Sequence, residues 1–256
     1  MDAPKLSTMV VLYNTNLKFD TTKLVESIPF ENGIIRAEKR NVLRRGESKR
    51  DQIKRRSKKE SKTNNTGFGN NSMTLVMLND GDGTLPLKEI TVKIFQNGVF
   101  HMTGILDDKY DMCVMRILLD MLWTSCKDSI VECPGAYEIT NRRVVLMNYT
   151  TKLHMDNVPR QALYNNIRIL EQEHVKAEYD PDVYPGVKVR IGPHKWIAKI
   201  FRTGKVILTG ITTKEQCVEF VEQLTSLLSR VLLVDRTLAN APLHNPPASR
   251  MTSASR

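Results

Sequence analysis

One pattern occurs twice in this chain and limits what it can fold into. The stretch Ile94-Phe95-Gln96-Asn97-Gly98-Val99-Phe100-His101-Met102-Thr103-Gly104-Ile105 matches Ile200-Phe201-Arg202-Thr203-Gly204-Lys205-Val206-Ile207-Leu208-Thr209-Gly210-Ile211 at a constant offset of 106. Both copies run on into amphipathic stretches, 107–124 and 212–229, where Leu118 and Leu122 correspond to Leu224 and Leu228. Upstream, Val10-Val11-Leu12-Tyr13-Asn14 matches Val144-Val145-Leu146-Met147-Asn148 at an offset of 134, so the first copy carries 28 extra residues. A unit duplicated in tandem predicts two like halves, with the insertions mapped to loops of one of them.

A third match bounds where the extra length falls. Phe68 to Leu75 aligns with Tyr184 to Ile191 at an offset of 116, placing 18 extra residues before Phe68 and 10 after it. The second insertion contains Asn79-Asp80-Gly81-Asp82-Gly83-Thr84-Leu85-Pro86, dense in turn residues and expected to be a long hairpin loop. Each copy reads as strand, helix, four strands, helix. In copy one, β-branched alternation predicts strands over 10–19, 34–42, 73–78, 89–95 and 99–103, with Thr21-Thr22 capping a short helix through Ile28. In copy two the strands fall at 143–154, 174–178, 187–191, 195–201 and 205–209, and residues 157–168 correspond to the short helix. The last helix, from Thr212 to about Val234, carries Val218, Val221, Leu224 and Leu228 on one face. The expected class is α+β: two pseudo-symmetric repeats, mostly antiparallel sheet, helices on one side and the other side left for a partner. The expected organisation is a first repeat over 1–135 with a basic insertion at about 44–65, a second over 136–236, and a Pro-, Ser- and Asn-rich disordered tail over 237–256.

Charge is concentrated rather than spread. Of the net +10, a balance of +9 lies between Lys39 and Lys62, where 12 basic residues face 3 acidic ones. A nearly neutral body with one basic segment predicts contact with a polyanion. Three readings fit the segment from Arg44 to Lys59: added phosphate contacts, a nuclear import signal, or a solvated loop. The lack of interleaved aromatics disfavours base stacking. Phosphate contact predicts affinity that falls steeply with salt. Apolar runs are too short to span a bilayer, and the N-terminus lacks the pattern of a secretory signal. Cys113, Cys126, Cys133 and Cys217 form no CxxC pair, and the five histidines are dispersed, so no metal or cofactor is expected. No Walker loop, nucleophile elbow or zincin helix is present, which argues against an enzyme.

The tandem I-F-x-x-G-x-x-x-x-T-G phrase, with Tyr184-Pro185-Gly186-Val187-Lys188-Val189-Arg190-Ile191 upstream of its second copy, resembles the TATA-box-binding protein family from about Thr8 to Arg230. The loose, interrupted first copy is more similar to versions encoded by large DNA viruses. The resemblance implies a saddle whose curved sheet of ten strands lies with its concave face in the DNA minor groove, kinking the duplex with aromatic wedges. It further implies a transcription factor IIB-like partner, RNA polymerase machinery, and a monomer on DNA, with a homodimer as the alternative state without it. The compartment would be intracellular: the nucleus, a cytoplasmic viral factory, or the virion. The minor groove is poor in distinguishing groups, so deformability of A·T-rich steps would carry selectivity.

Carried onto this sequence, the wedges fall on Phe68, Phe95, Tyr184 and Phe201, whose alternative is a strand-end core aromatic. Tyr184 departs from the family's phenylalanine, and its hydroxyl needs a partner when buried. Thr103 and Thr209 match the central threonines, which as strand residues are otherwise unexceptional. Asn14 and Asn148 are candidates for the central asparagines, and Arg190, Lys195 and Lys205 for phosphate contacts. Lys93 and Lys199 stand where the family has leucine; in the groove they would make contact more electrostatic and relax sequence preference. His101 and Val99 replace the groove-facing pair Ile207 and Lys205. Asp180 and Asp182 resemble the loop that meets transcription factor IIB. A rival reading keeps the saddle but assigns it to a protein partner, with weak, nonspecific DNA binding.

Overall fold

The computed structural model describes residues 1–52, 71–132, 135–170 and 174–239, with backbone alone for 50 and 232–239. The first half opens with β1 (Lys5–Thr15), then β2 (Lys18–Phe19), α1 (Thr21–Ser27), β3 (Ile34–Lys39), β4 (Leu43–Gly46) and a single turn α2 (Lys49–Gln52). It continues with β5 (Ser72–Asn79), β6 (Lys88–Phe95), β7 (Val99–Ile105) and α3 (Asp108–Ser125). A short turn and β8 (Ile130–Glu132) lead to the second half: β9 (Ile139–Lys152), α4 (Arg160–Ile169), β10 (Val175–Glu178), β11 (Val187–Ile191), β12 (Ile197–Ile200), β13 (Lys205–Ile211) and α5 (Lys214–Ala239). Asp20, rather than Thr21 or Thr22, caps α1. Its Oδ1 accepts from the amides of Thr22 (2.9 Å) and Lys23 (3.1 Å), which satisfies first-turn donors and suits the positive helix end. Thr21 instead turns inward and accepts from the buried Lys39 Nζ at 2.7 Å.

Eleven strands form one antiparallel, open sheet in the order β10-β11-β12-β13-β9-β1-β7-β6-β5-β3-β4, while β2 and β8 pair separately. The centre is symmetric. Thr8 pairs with Asn148 and Val10 with Leu146 across β1 and β9, so Met9 faces Met147 on a pseudo-two-fold axis. Each residue of β1 therefore corresponds to the one 138 positions later, not 134. The outer ladders give the rest: Lys93 pairs with Thr74 where Lys199 pairs with Lys188, an offset of 114 between β5 and β11 rather than 116. The first half thus carries its extra length mostly between β3 and β5, and β4 is an added edge strand built from the start of the basic insertion. The position strictly equivalent to Tyr184 becomes 70, and Phe68 itself lies outside the described residues, as do Cys133 and the tail from 240.

Gly104 and Gly210 explain the Thr-Gly pair in the repeated phrase. Each sits where the ladder to the central strand slips, with φ of 90° and 85°. A side chain on Gly210 would place its Cβ 2.2 Å from the Lys195 carbonyl oxygen, so glycine is required by both backbone conformation and space.

Period-two alternation sends Val11, Met102, Ile94, Leu75 and their counterparts Leu208, Ile200 and Val189 to one face, where α1, α3, α4 and α5 bury them. On α5 the inward residues are Cys217, Phe220, Leu224, Leu227, Leu228 and Val231, while Val218, expected on that face, is exposed. The i, i+3, i+4, i+7 stripe running from Phe220 through Leu224 and Leu227 leaves Val218 on the opposite side of the helix. Burial pushes the Cys217 thiol up to about 11, so that thiol is unreactive. Among the described residues no helix is long and apolar enough to cross a membrane.

The halves are joined by a buried polar network. Asp111 on α3 is fully buried; it accepts from the Tyr13 hydroxyl (2.6 Å) of β1 and from Arg142 Nε (2.8 Å) of β9. Arg142 also reaches Asp108 at 2.6 Å.

Candidate nucleic-acid interface

The sheet face turned away from the long helices is called here the open face. On the central strands it carries Val10, Leu12 and Asn14 of β1 and Leu146, Asn148 and Thr150 of β9, which alternate with the buried Met9, Val11, Tyr13, Met147 and Tyr149. Thr103 pairs with Val10 on one side of the axis. On the other, Thr209 and Gly210 lie opposite Asn148 where the β13–β9 ladder shifts. Thr103, Val10, Leu146, Asn148 and Thr209 therefore form one band across the middle of the face. Asn148 Oδ1 is buried and accepts no hydrogen bond, a cost for a buried acceptor unless a partner arrives from outside.

Asn14 does not mirror Asn148. With the offset at 138, the counterpart of Asn148 is Val10, and Asn14 corresponds to Lys152 at the far end of the strand, where it pairs with Val99. It shares the open face but not the central band.

The second half brings its predicted residues together. The rings of Tyr184 and Phe201 meet edge to face with centroids 5.8 Å apart. They pack over Gly186, where a Cβ would lie 3.1 Å from the tyrosine ring and 3.2 Å from the phenylalanine ring. Lys188 Nζ and Lys199 Nζ stand 5.7 and 5.8 Å from the Tyr184 ring, so two cations flank the aromatic pair. Arg190 is exposed, 3.8 Å from Glu178, which also receives Lys188 at 3.5 Å. Lys195 is exposed in the turn before β12, and the strand expected to begin there begins at Ile197. Lys205 is in register with Lys152, and together with Lys5 they line an open hollow beside Thr150. Lys5 and Lys152 lie beyond the matched phrases of the two copies: β1 begins five residues before Val10, and Lys152 is four residues past Asn148.

The first half differs. Phe95 occupies the place of Phe201 at the end of β6. Lys93 is exposed and pairs across the ladder with His101, and burial together with that lysine lowers the His101 pKa from its ordinary 6.5. Val99 stands where Lys205 does, Glu89 where Lys195 does, and Val76 where Arg190 does.

Nor is this half's open face bare. Arg45 of β4 points to the helix side, donating to the carbonyls of Glu26 and Ile28 at 3.0 Å each, so Arg44 points the other way. There the chain from Gly46 folds back over the sheet. Asp51 pairs with Arg44 (2.8 Å) and Arg36 (3.1 Å), and the Lys49 amide donates to Glu89 Oε1 (3.0 Å) on β6. Val76, in register with Arg36 and Thr91, is 2% exposed yet belongs to no part of the helix-side core. Residues 44–52 are thus a folded edge rather than a solvated loop; the remainder of the basic segment lies outside the described residues.

In the loop before Tyr184, Asp180 is used locally. Its Oδ1 accepts from the amides of Asp182 (3.1 Å) and Val183 (3.3 Å), and its carbonyl accepts from Tyr184 N (2.8 Å). Asp182 and Val183 are left exposed at the tip.

Residues 160–231 match the family model described as "Transcription factor TFIID (or TATA-binding protein, TBP)". TATA-box-binding protein 2 of Methanosarcina acetivorans is 28% identical over 108 residues, covering 35% of this chain and 58% of that protein. The TATA-box-binding protein of Pyrobaculum calidifontis is 42% identical over a shorter 53 residues, 21% of this chain and 27% of its own. The chain spans about three fifths of the length of the two Methanosarcina acetivorans relatives it matches. Among solved structures, Methanococcus jannaschii TBP superposes with a TM-score of 0.53 at 18% identity, covering 89% of this chain and 99% of that one, a likeness of fold that includes the curved sheet. The family match lies in the second half, residues 160–231, while the likeness of fold extends over most of the chain, so the chain is similar to TATA-box-binding proteins in sequence over that half and in fold over both.

Proposed function

We propose that this protein is a transcription initiation factor that binds A·T-rich promoter duplex through the minor groove, bends it, and recruits polymerase machinery through a transcription factor IIB-like partner. The observation that carries this reading is the Tyr184–Phe201 ring pair over Gly186, flanked by Lys188 and Lys199 at one end of the open face. Apolar rings between base steps cost unstacking energy, a few kcal/mol per step, which the surface gained on bent DNA offsets. Phe201 and Tyr184 act as the wedge at this end, and Phe95, with Phe68, at the other. Thr103, Thr209 and Asn148 meet base edges in the central band, where the unpaired Asn148 oxygen awaits a donor. Arg190, Lys195 and Lys205 hold phosphates, joined by Lys5 and Lys152. Lys93 and Lys199 add charge where aliphatic contact would sharpen A·T preference. Asn14 contributes at the strand end, and Asp182 at the loop tip is offered to the partner protein while Asp180 shapes that loop. The protein acts as a monomer on DNA, with dimerisation confined to the free state, and works in the nucleus or in the cytoplasmic factory of a large DNA virus.

The test is a salt titration with end-labelled A·T-rich and G·C-rich duplexes, bending being read as energy transfer between the ends. Preferential binding with bending on the A·T-rich duplex supports the reading. Equal, unbent and steeply salt-dependent binding supports the second one, a protein-interaction module with weak nonspecific DNA affinity, which the covered open face of the first half favours.

A further inference from the structure

The two open faces are related by a pseudo-two-fold axis, yet among the described residues only one is bare. In the second half the Arg190 side chain is 47% exposed; in the first half its counterpart Val76 is 2% exposed, in register with Arg36, on which Ser48 and Asp51 sit. That segment docks by polar contacts. Asp51 Oδ2 accepts from the Ser48 amide (2.9 Å) and hydroxyl (3.1 Å), which closes the turn. Its other oxygen faces two guanidiniums, Arg36 Nη1 at 3.1 Å and Arg44 Nη2 at 2.8 Å. An oxyanion held between two arginines on a sheet face is the arrangement a duplex phosphate would adopt there. The fit is incomplete: Arg36 Nε is buried with no acceptor, so one donor of the fork is unused while the cover is in place. No apolar side chain of the segment from Ser48 to Gln52 anchors it, since the residues are Ser, Lys, Arg, Asp and Gln.

We propose that Ser48–Asp51 is a built-in competitor for DNA, with the Asp51 carboxylate standing in for a backbone phosphate between Arg36 and Arg44 on the first half's open face. This rests on the minor-groove reading above. Duplex captured by the uncovered second half displaces the segment; its phosphates take over Arg36 and Arg44, fill the vacant Nε donor, and reach the central band from both sides. The free protein is thereby kept in a form with one competent half, and the apparent affinity for duplex is divided by the fraction of molecules whose cover is open. The basic insertion, which composition alone assigns to attraction, begins with a segment that opposes binding.

The experiment uses the full chain with Asp51→Asn, and with Glu47→Gln as the control. Glu47 is an exposed acid of the same segment, so both changes remove one negative charge. The cover itself is read without DNA, by maleimide labelling of Val76→Cys in a background carrying Cys113→Ser and Cys133→Ser; the two remaining cysteines are each 2% exposed. Asp51→Asn is expected to speed that labelling severalfold while Glu47→Gln leaves it unchanged. In chains with native Val76, Asp51→Asn is expected to bind A·T-rich duplex roughly fivefold more tightly than Glu47→Gln, with more end-to-end energy transfer. Unchanged labelling shows that Asp51 does not hold the cover and overturns the proposal. Faster labelling with equal duplex affinity for the two variants shows that DNA does not compete for this face, and also overturns it, while bending by the parent chain leaves the minor-groove reading standing. Failure of every variant to bind duplex at low salt removes both readings together.

Discussion

Replacing Asp111 by Ala tests whether the polar network between the halves supports the fold. The carboxylate is fully buried and holds the Tyr13 hydroxyl at 2.6 Å and Arg142 at 2.8 and 3.2 Å. Alanine removes all three bonds and leaves the buried Tyr13 hydroxyl without an acceptor, its oxygen still accepting from Arg142 Nε at 3.1 Å, while Arg142 keeps Asp108 and part of its solvent contact. Breaking a buried pair from one side costs about 3–5 kcal/mol. The lower end applies here, about 3 kcal/mol, because Arg142 retains a partner and the cost of burying the carboxylate is relieved. For a chain of this size about 2–4 °C of Tm accompanies each kcal/mol, so a fall of roughly 6–12 °C is expected. Tyr13→Phe leaves Asp111 with both Arg142 bonds and should cost only about 1–1.5 kcal/mol. Burial and the Asp111 carboxylate push the Tyr13 phenol far above its usual pKa, so the contrast between the variants should hold across the neutral range. Circular dichroism melts with urea titrations, checked for equal m-values, provide the assay. If Asp111→Ala loses less than Tyr13→Phe, the carboxylate is not the centre of the network and the reasoning fails.

Phe201→Ala should weaken A·T-rich binding about tenfold and reduce bending, since a stacked aromatic is worth about 1–3 kcal/mol per base; a Tyr184→Ala variant with full bending would place the kink elsewhere. Changing Lys93 and Lys199 together to Leu should flatten the logarithmic salt slope by about 2 and sharpen the preference for A·T-rich over G·C-rich duplex, and an unchanged slope would take both lysines off the phosphates. The lowered pKa of His101 makes the folded state take up fewer protons than the unfolded one as pH falls below the ordinary 6.5. Stability should be independent of this group above that pH and decline below it, and His101→Phe should remove that part of the decline in melts at pH 5 and pH 7.5.

The repeated phrase made β7, β13 and the helices after them legible, because Thr-Gly and the amphipathic run are tied to a bulge and a buried stripe. The sequence offset of 134 at the first strand differs from the structural 138 by four residues, and that of 116 at β5 from 114 by two. Both are even slips. In a strand, an even slip leaves every side chain on its own face, so alternation, the one periodic signal available, cannot reveal it. Asn14 and Asn148 therefore share the open face although they are not equivalent positions. Residues 44–52 were unreadable for another reason: the segment docks through Asp51, Arg36, Arg44 and Glu89, and a few ion pairs leave no hydrophobic pattern. Lys5 and Lys152 escaped notice because they lie at strand ends beyond the matched phrases.

What the halves share and what they do not divides along a physical line. Thr103 and Thr209, Gly104 and Gly210, Phe95 and Phe201, and Lys93 and Lys199 stand at corresponding places, and most of them answer to backbone geometry or to ring shape. Three of the positions that differ set charge. Lys195, Lys205 and Arg190 in the second half face Glu89, Val99 and Val76 in the first, three cations against one acid and two aliphatics. Within a Debye length of about 8–10 Å these three positions favour a polyanion on the second half's sheet face, against the +9 that the first half carries between Lys39 and Lys62. On the proposed function, duplex meets the second half first, where the ring pair is already assembled over Gly186, and the first half joins after Asp51 gives up its two arginines. On that proposal a symmetric fold with an asymmetric sheet face gives binding an order, and with it a direction along the duplex. That direction is carried by three substitutions and a four-residue turn.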